Sequence, residues 1–192
     1  MKKLLFATLL ALVAASPAFA TCNPRGNVYS GLTLIGYDYV VDGNFSQGCS
    51  DWSYTNVTRQ SQAGGLCGVF SNTYAKFAEA LGTDKVVQVV YIPNTGEPGY
   101  FSSSTSWTVA YTNDASGTGT SSDYVQIRLY DDDTNQSIYL APSILGTQAP
   151  CVSAQYNITR NLNGKNVRIE VRGAAAGSFF WKISDVVLMQ AP

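Results

Sequence analysis

The side chains best equipped for chemistry lie in two short alternating stretches. Along Tyr124–Tyr130, an extended chain points Tyr124, Gln126, Arg128 and Tyr130 to one side and Val125, Ile127 and Leu129 to the other. Residues 166–172 repeat the pattern, with Asn166, Arg168, Glu170 and Arg172 opposed to Val167, Ile169 and Val171. Tyrosine rings beside guanidinium, amide and carboxylate groups suit a sugar: flat rings cover C–H faces, and bidentate groups bond paired hydroxyls. If the two strands are neighbours, Tyr124, Gln126, Arg128, Tyr130, Arg168 and Glu170 form one ligand-binding patch. Ordinary solvation of an outward face explains the same alternation and is the competing reading.

Catalysis is poorly provisioned. The chain has no histidine, which excludes His-based triads and Cys–His pairs. It has no Gly-x-Ser-x-Gly elbow and no phosphate loop. Glycosidase chemistry needs only two carboxylates at the right separation, but the glutamates are Glu79, Glu97 and Glu170, and only Glu170 lies in a clear strand pattern. Asp131-Asp132-Asp133 precedes Thr134-Asn135 and a new apolar run, so it reads as a solvated hairpin loop. The residues describe a non-enzyme. Without histidine or a Cys-x-x-Cys pair, the zinc alternative for the cysteines is weak. No run or stripe of Lys and Arg offers a surface to nucleic acid or an anionic membrane.

Residues 1–20 read as a secretory signal peptide. Met1-Lys2-Lys3 is a positive start, Leu4 to Ala15 is almost wholly apolar, and Ala18-Phe19-Ala20 supplies small residues for cleavage. No second apolar stretch long enough to span a bilayer follows. The expectation is a secreted chain, extracellular or periplasmic, whose residues 21–192 form a single domain without membrane insertion. Losing Lys2 and Lys3 leaves it more acidic than the formal net charge of −1. Its four cysteines, Cys22, Cys49, Cys67 and Cys151, read as disulfides in an oxidising compartment. Of the three connectivities, Cys49–Cys67 with Cys22–Cys151 is preferred, because the first pair is near in sequence and flanks a strand-like stretch.

Short strands carry the patch. Candidates run over 32–35, 37–41, 52–57, 86–92, 107–112, 124–130, 138–140, 154–159, 167–172 and 179–189. They are punctuated by Gly43-Asn44, Gly64-Gly65, Asn94-Thr95-Gly96, a Ser/Gly/Thr tract and Asn163-Gly164. Strands at this spacing without alternating helices predict an all-β sandwich or jelly roll. Residues 74–81, Tyr-Ala-Lys-Phe-Ala-Glu-Ala-Leu, have helix-forming composition but are too short for a stable helix, and allow one short helical turn or an irregular strand. Trp52 and Trp107 are expected in the core, whereas Trp181 suits either the core or a rim platform.

Several segments resemble the galactose-binding-domain-like jelly rolls found as carbohydrate-binding modules on bacterial glycanases. Residues 40–52, Val-Val-Asp-Gly-Asn-Phe-Ser-Gln-Gly-Cys-Ser-Asp-Trp, are similar to that family's opening strand. There, an Asn-Gly-x-Phe-Glu-like turn leads to a Trp. Residues 180–188, Phe-Trp-Lys-Ile-Ser-Asp-Val-Val-Leu, are similar to its closing strand, and the stretch around Gln88 with Trp107–Tyr111 to an inner pair. The resemblance implies a jelly-roll β-sandwich and a carbohydrate or surface glycan as partner. Many relatives hold a structural calcium near these termini. In this chain Asp42 and Asp185 survive as ligands, but Ser46 and Ser184 stand where acidic groups are usual, so the resemblance provisions the metal thinly. No other cofactor is implied. The leading expectation is an exported, non-catalytic carbohydrate-binding module. Its rival is a cell-surface or matrix structural protein of the same fold without a sugar site, with an unknown protein partner.

Overall fold

The computed structural model describes residues 22, 24–48, 51–64, 66–68, 72–80, 82–148 and 151–192; the expected signal segment 1–20 and Cys49 lie outside them. Among the described residues thirteen strands follow in order: β1 (Pro24–Ser30), β2 (Thr33–Val41), β3 (Ser53–Thr55), β4 (Val57–Ser61), β5 (Thr73–Phe77), β6 (Asp84–Ile92), β7 (Ser106–Ser116), β8 (Tyr124–Asp131), β9 (Gln136–Leu140), β10 (Ile144–Leu145), β11 (Val152–Thr159), β12 (Lys165–Ala174) and β13 (Phe180–Gln190). Every pairing is antiparallel, and the strands divide between two sheets. In the seven-stranded sheet β13 is the hub. It pairs along its length with β7, which carries β11, and on its other side with β5 near its start and β2 near its end. The six-stranded sheet runs β10-β8-β12-β6-β3, with β9 also on β8.

The period-2 patterns set the inner faces. Val125, Ile127 and Leu129 of β8 and Val167, Ile169 and Val171 of β12 are fully buried. Trp107, Val109 and Tyr111 of β7 and Ile183, Val186 and Leu188 of β13 are buried in the same core cluster. Trp52 is buried and donates from Nε1 to the Val41 carbonyl at 2.9 Å. Trp181, the open case, is a core residue: it meets Phe179 edge-on at 5.0 Å between ring centroids and bonds the Ala174 carbonyl.

Gln88 joins the two sheets. It points inward from β6 at 1% exposure. Its side-chain amide accepts from the Val41 N–H at 2.9 Å and donates to the Val41 carbonyl at 2.8 Å, so β2 is tied to β6 as if by a ladder rung. A buried amide is tolerated only when so satisfied.

Three expectations need correction. Residues 74–77 form no helical turn; they belong to β5, between β4 and β13, where Ala75 and Phe77 fill the core. Pairing on both edges outweighs the propensity of so short a stretch. The span 52–57 is also broken. Trp52 precedes β3, and Asn56, in the left-handed region at φ 54°, turns the chain from β3 into β4 on the other sheet. The disulfides are wired differently as well. Cys67 bonds Cys151, with 5.3 Å between Cα atoms, so neither Cys49–Cys67 nor Cys22–Cys151 forms; Cys22 is itself disulfide-bonded. β7 is the cause: Val152, next to Cys151, pairs with Asn113, and the Cys67 sulfur lies 3.9 Å from the Asn113 carbonyl.

Candidate functional site

The register brings the two alternating stretches together. β8 and β12 are direct neighbours. Arg128 stands opposite Glu170, Tyr130 opposite Arg168, Gln126 opposite Arg172, and Tyr124 opposite Ala174. Directly opposed residues share a face, with side chains close enough to interact. Five of the six expected patch residues therefore lie in one block on the outer face of the six-stranded sheet, with Tyr124 at its edge. One row continues across the sheet: Leu140 opposes Arg128 from β9, and beyond Glu170 come Val87 of β6 and Ser53 of β3. Five strands at the usual spacing make this row about 19 Å long.

Internal bonds already occupy part of the patch. Arg168 is locked. Its guanidinium bonds Asp132 at 2.8 Å and Asn135, and it lies over the Tyr130 ring at 4.7 Å. That covers one ring face and turns the pair into a clamp on the β8–β9 hairpin. Gln126 bonds the Ala141 carbonyl and accepts from Arg128 Nε at 2.6 Å. The Tyr124 hydroxyl lies so close to Gly82 that a Cβ there would sit 2.9 Å from it. Arg128 and Glu170 belong to none of the ion pairs among the described residues. Glu170 is buried at 8% exposure, whereas Leu140 is 52% exposed. The row thus sets a guanidinium and a largely buried carboxylate side by side, flanked by Leu140 and Val87.

Sequence reasoning left Lys85 and Arg172 out of the patch. Arg172 Nε donates to the Gly82 carbonyl at 2.8 Å, and Arg172 stands directly opposite Lys85. The outward residues of β6 are Lys85, Val87, Val89 and Tyr91. Three of them are apolar or aromatic, so the strand reads as buried on both faces and its one cation is easily passed over.

The acidic triplet does sit at a hairpin. Asp131 ends β8 and bonds Lys165 at 2.7 Å, which holds its carboxyl below the ordinary range; Asp132 holds Arg168, and Asp133 accepts from Asn166. The long connections are anchored at the ends of the sandwich. Gln190 bonds the Ser102 and Ser104 carbonyls, while Asp123 accepts from Thr120 and from the Ala176 N–H.

Asp42 and Asp185 come together at the opposite sheet. Both have left-handed backbone, at φ 46° and 52°. Between them the Val186 N–H bonds the Gly43 carbonyl at 2.9 Å, an approach so tight that a Cβ on Gly43 would collide with the Val186 carbonyl. The residues fit a calcium poorly, because the loop is held by donors. Gln47 and Gly48 N–H groups occupy both Asp42 oxygens at 3.0 Å. The Arg59 guanidinium takes the Phe45 and Ser46 carbonyls, and the Ser184 hydroxyl donates to the Thr73 carbonyl at 2.9 Å. A hard cation needs six to eight oxygens free to face it. Near the other end of β7, Asp114 lies beside Cys67 and Cys151, but those sulfurs are bonded to each other and are no metal ligands.

No protein-family model matches the chain, and no curated protein matches it in sequence. Solved structures match in fold. A family 61 carbohydrate-binding module in complex with β-1,4-galactotriose aligns with a TM-score of 0.57 at 13% identity, covering 79% of this chain and 97% of that one. A family 16 carbohydrate-binding module gives 0.52 at 15% identity, covering 79% and 99%. The Clostridium thermocellum xylanase 10B, as its family 22 binding module and catalytic module complexed with xylohexaose, gives 0.52 at 10% identity, covering 81% of this chain and 29% of that one. The chain has the galactose-binding-domain-like jelly-roll fold of carbohydrate-binding modules.

Proposed function

We propose that the chain is an exported, non-catalytic module that binds carbohydrate on the outer face of its six-stranded sheet, with Arg128 and Glu170 at the centre. The juxtaposition of these two side chains carries the reading. A guanidinium donates in a fork, a carboxylate accepts at two oxygens, and together they match the paired donors and acceptors of vicinal hydroxyls. Leu140 and Val87 flank the pair and give C–H surfaces something apolar to cover. Tyr130 contributes less than a free ring would, because Arg168 lies over it. The fold supports the class of ligand, since modules of this architecture are seen with β-1,4-galactotriose and xylohexaose. The apolar start and the disulfide support export, and the lack of histidine supports binding over catalysis.

A glycan array probed with the chain lacking residues 1–20 tests this, together with Arg128→Ala and Glu170→Gln. Loss of one partner of a charged hydrogen bond costs about 1.5–3 kcal/mol, enough to abolish retention of a modest ligand. Both variants should lose binding, with their denaturation midpoints measured to separate that loss from any change in folding. Variants that bind like the wild type would move the site elsewhere, first to the cavity of about 290 Å³ beside β4 lined by Arg59, Gln60, Ser61 and Thr73. A wild type that binds no glycan would leave a structural protein of the same fold.

A further inference from the structure

The outer face of the six-stranded sheet is cationic in a chain whose formal net charge is −1. Arg172 of β12 stands directly opposite Lys85 of β6, and Arg128 of β8 is diagonal to Arg172 across the β8–β12 pair. Like charges directly opposed on an antiparallel pair destabilise a sheet, so a chain selected for stability alone would place an acid at one of the two positions. None of Lys85, Arg128 and Arg172 belongs to an ion pair among the described residues. The aspartates nearby are engaged elsewhere. Asp131 and Asp132 are spent on Lys165 and Arg168, Asp133 accepts from Asn166, and Asp84 points to the other face and holds the Ala78 and Glu79 N–H groups. Glu170 is the one acid within the block; it stands opposite Arg128 and so offsets one of the three cations, leaving the directly opposed Lys85 and Arg172 without an acid between them. Arg128 and Arg172 each spend Nε internally, on Gln126 and on the Gly82 carbonyl. Those bonds orient the two guanidinium groups and leave their terminal N–H groups for a ligand.

Resting on the carbohydrate reading above, we infer that the ligand is an acidic polysaccharide whose carboxylate or sulfate groups sit on the strip Lys85–Arg172–Arg128. The unfavourable Lys85–Arg172 juxtaposition is then relieved when an anion binds between them.

Affinity electrophoresis through polygalacturonate, a sulfated galactan, neutral β-1,4-galactan and neutral xylan, at low and high salt, separates the outcomes. One of the two acidic polymers should retard the wild type, less so as salt screens the contact, and which one does identifies the acidic group. Lys85→Glu should weaken that retardation by about tenfold or more. The same substitution should raise the melting temperature, because it places opposite charges across the pair. Arg172→Gln should weaken binding too, with its urea midpoint measured to account for the lost bond to Gly82. Retardation by a neutral polymer alone would overturn this inference and leave the carbohydrate reading standing. No retardation by any of the four would overturn both. Undiminished acidic binding in Lys85→Glu, or a melting temperature that falls, would refute the frustrated pair.

Discussion

Replacing Gln88 with leucine should separate the polar clasp between the two sheets from their apolar contact. The side chains are similar in size, so little cavity is created, and the effect falls on the Val41 peptide. Its carbonyl loses the 2.8 Å bond from Gln88 but keeps the 2.9 Å bond from Trp52 Nε1. Its N–H loses the 2.9 Å bond to the Gln88 oxygen, beside a side chain only 1% exposed. One net hydrogen bond is worth about 1 kcal/mol, and a stranded buried donor costs roughly 1–3 kcal/mol. The leucine recovers part of this as apolar burial, so the expected loss is about 2–3 kcal/mol. For a domain of this size that lowers the melting temperature by roughly 5–10 °C. Urea denaturation followed by circular dichroism gives the free energy directly, with an unchanged slope confirming that the native and unfolded states remain comparable. Gln88→Glu is the companion variant. Its carboxylate still accepts from the Val41 N–H but faces the Val41 carbonyl without a donor, so it should be worse than leucine at neutral pH and recover on acidification. A Gln88→Leu protein within about 0.5 kcal/mol of wild type would refute the argument, since that is the range of a substitution away from any structural feature.

The remaining predictions concern the bridge, the metal and one buried acid. Reducing the Cys67–Cys151 bridge, which closes a sequence separation of 84, should cost about 4–5 kcal/mol on the loop-entropy account and lower the urea midpoint accordingly; an unchanged midpoint would show that the unfolded chain gains little freedom. Chelator should leave the melting temperature within measurement error, because Arg59, Ser184 and the Gln47 and Gly48 amides already hold the loop at Asp42. A large drop with EDTA, reversed by calcium, would show that Asp42 and Asp185 suffice for the metal. Burial raises the Asp84 carboxyl above its ordinary value, against the opposing bonds from the Glu79 and Ala78 N–H groups. Between the unfolded and the raised folded pKa the native state holds more protons, so the Asp84 contribution to stability falls as pH rises through that window. Asp84→Asn should remove this part of the slope from urea midpoints measured across the acid range, and an unaltered slope would count against it.

The part of the structure governed by local geometry was legible before folding. Alternation with period two assigned Val125, Ile127, Leu129, Val167, Ile169 and Val171 to the core, and put Gln126, Arg128 and Tyr130 on the outward side of one strand and Arg168 and Glu170 on that of another, because neighbouring side chains of a strand must point apart. Turn residues marked most of the strand breaks, and the absence of histidine removed whole classes of catalyst. The rest depends on residues far apart in the chain. That Arg128 faces Glu170 follows from the β8–β12 register, and that Lys85 joins them follows from β6 lying on the far side of β12. Cys67 meets Cys151 because both are carried to β7, whereas proximity in sequence had favoured Cys49. Residues 74–77 became a strand because two neighbours claimed their backbone hydrogen bonds. Which polar groups remain open to a ligand was decided last of all. Arg168 and Arg128 look alike in the sequence, but the hairpin that follows β8 brings Asp132 and Asn135 to the first and leaves the second beside Gln126, with two terminal nitrogens to spare.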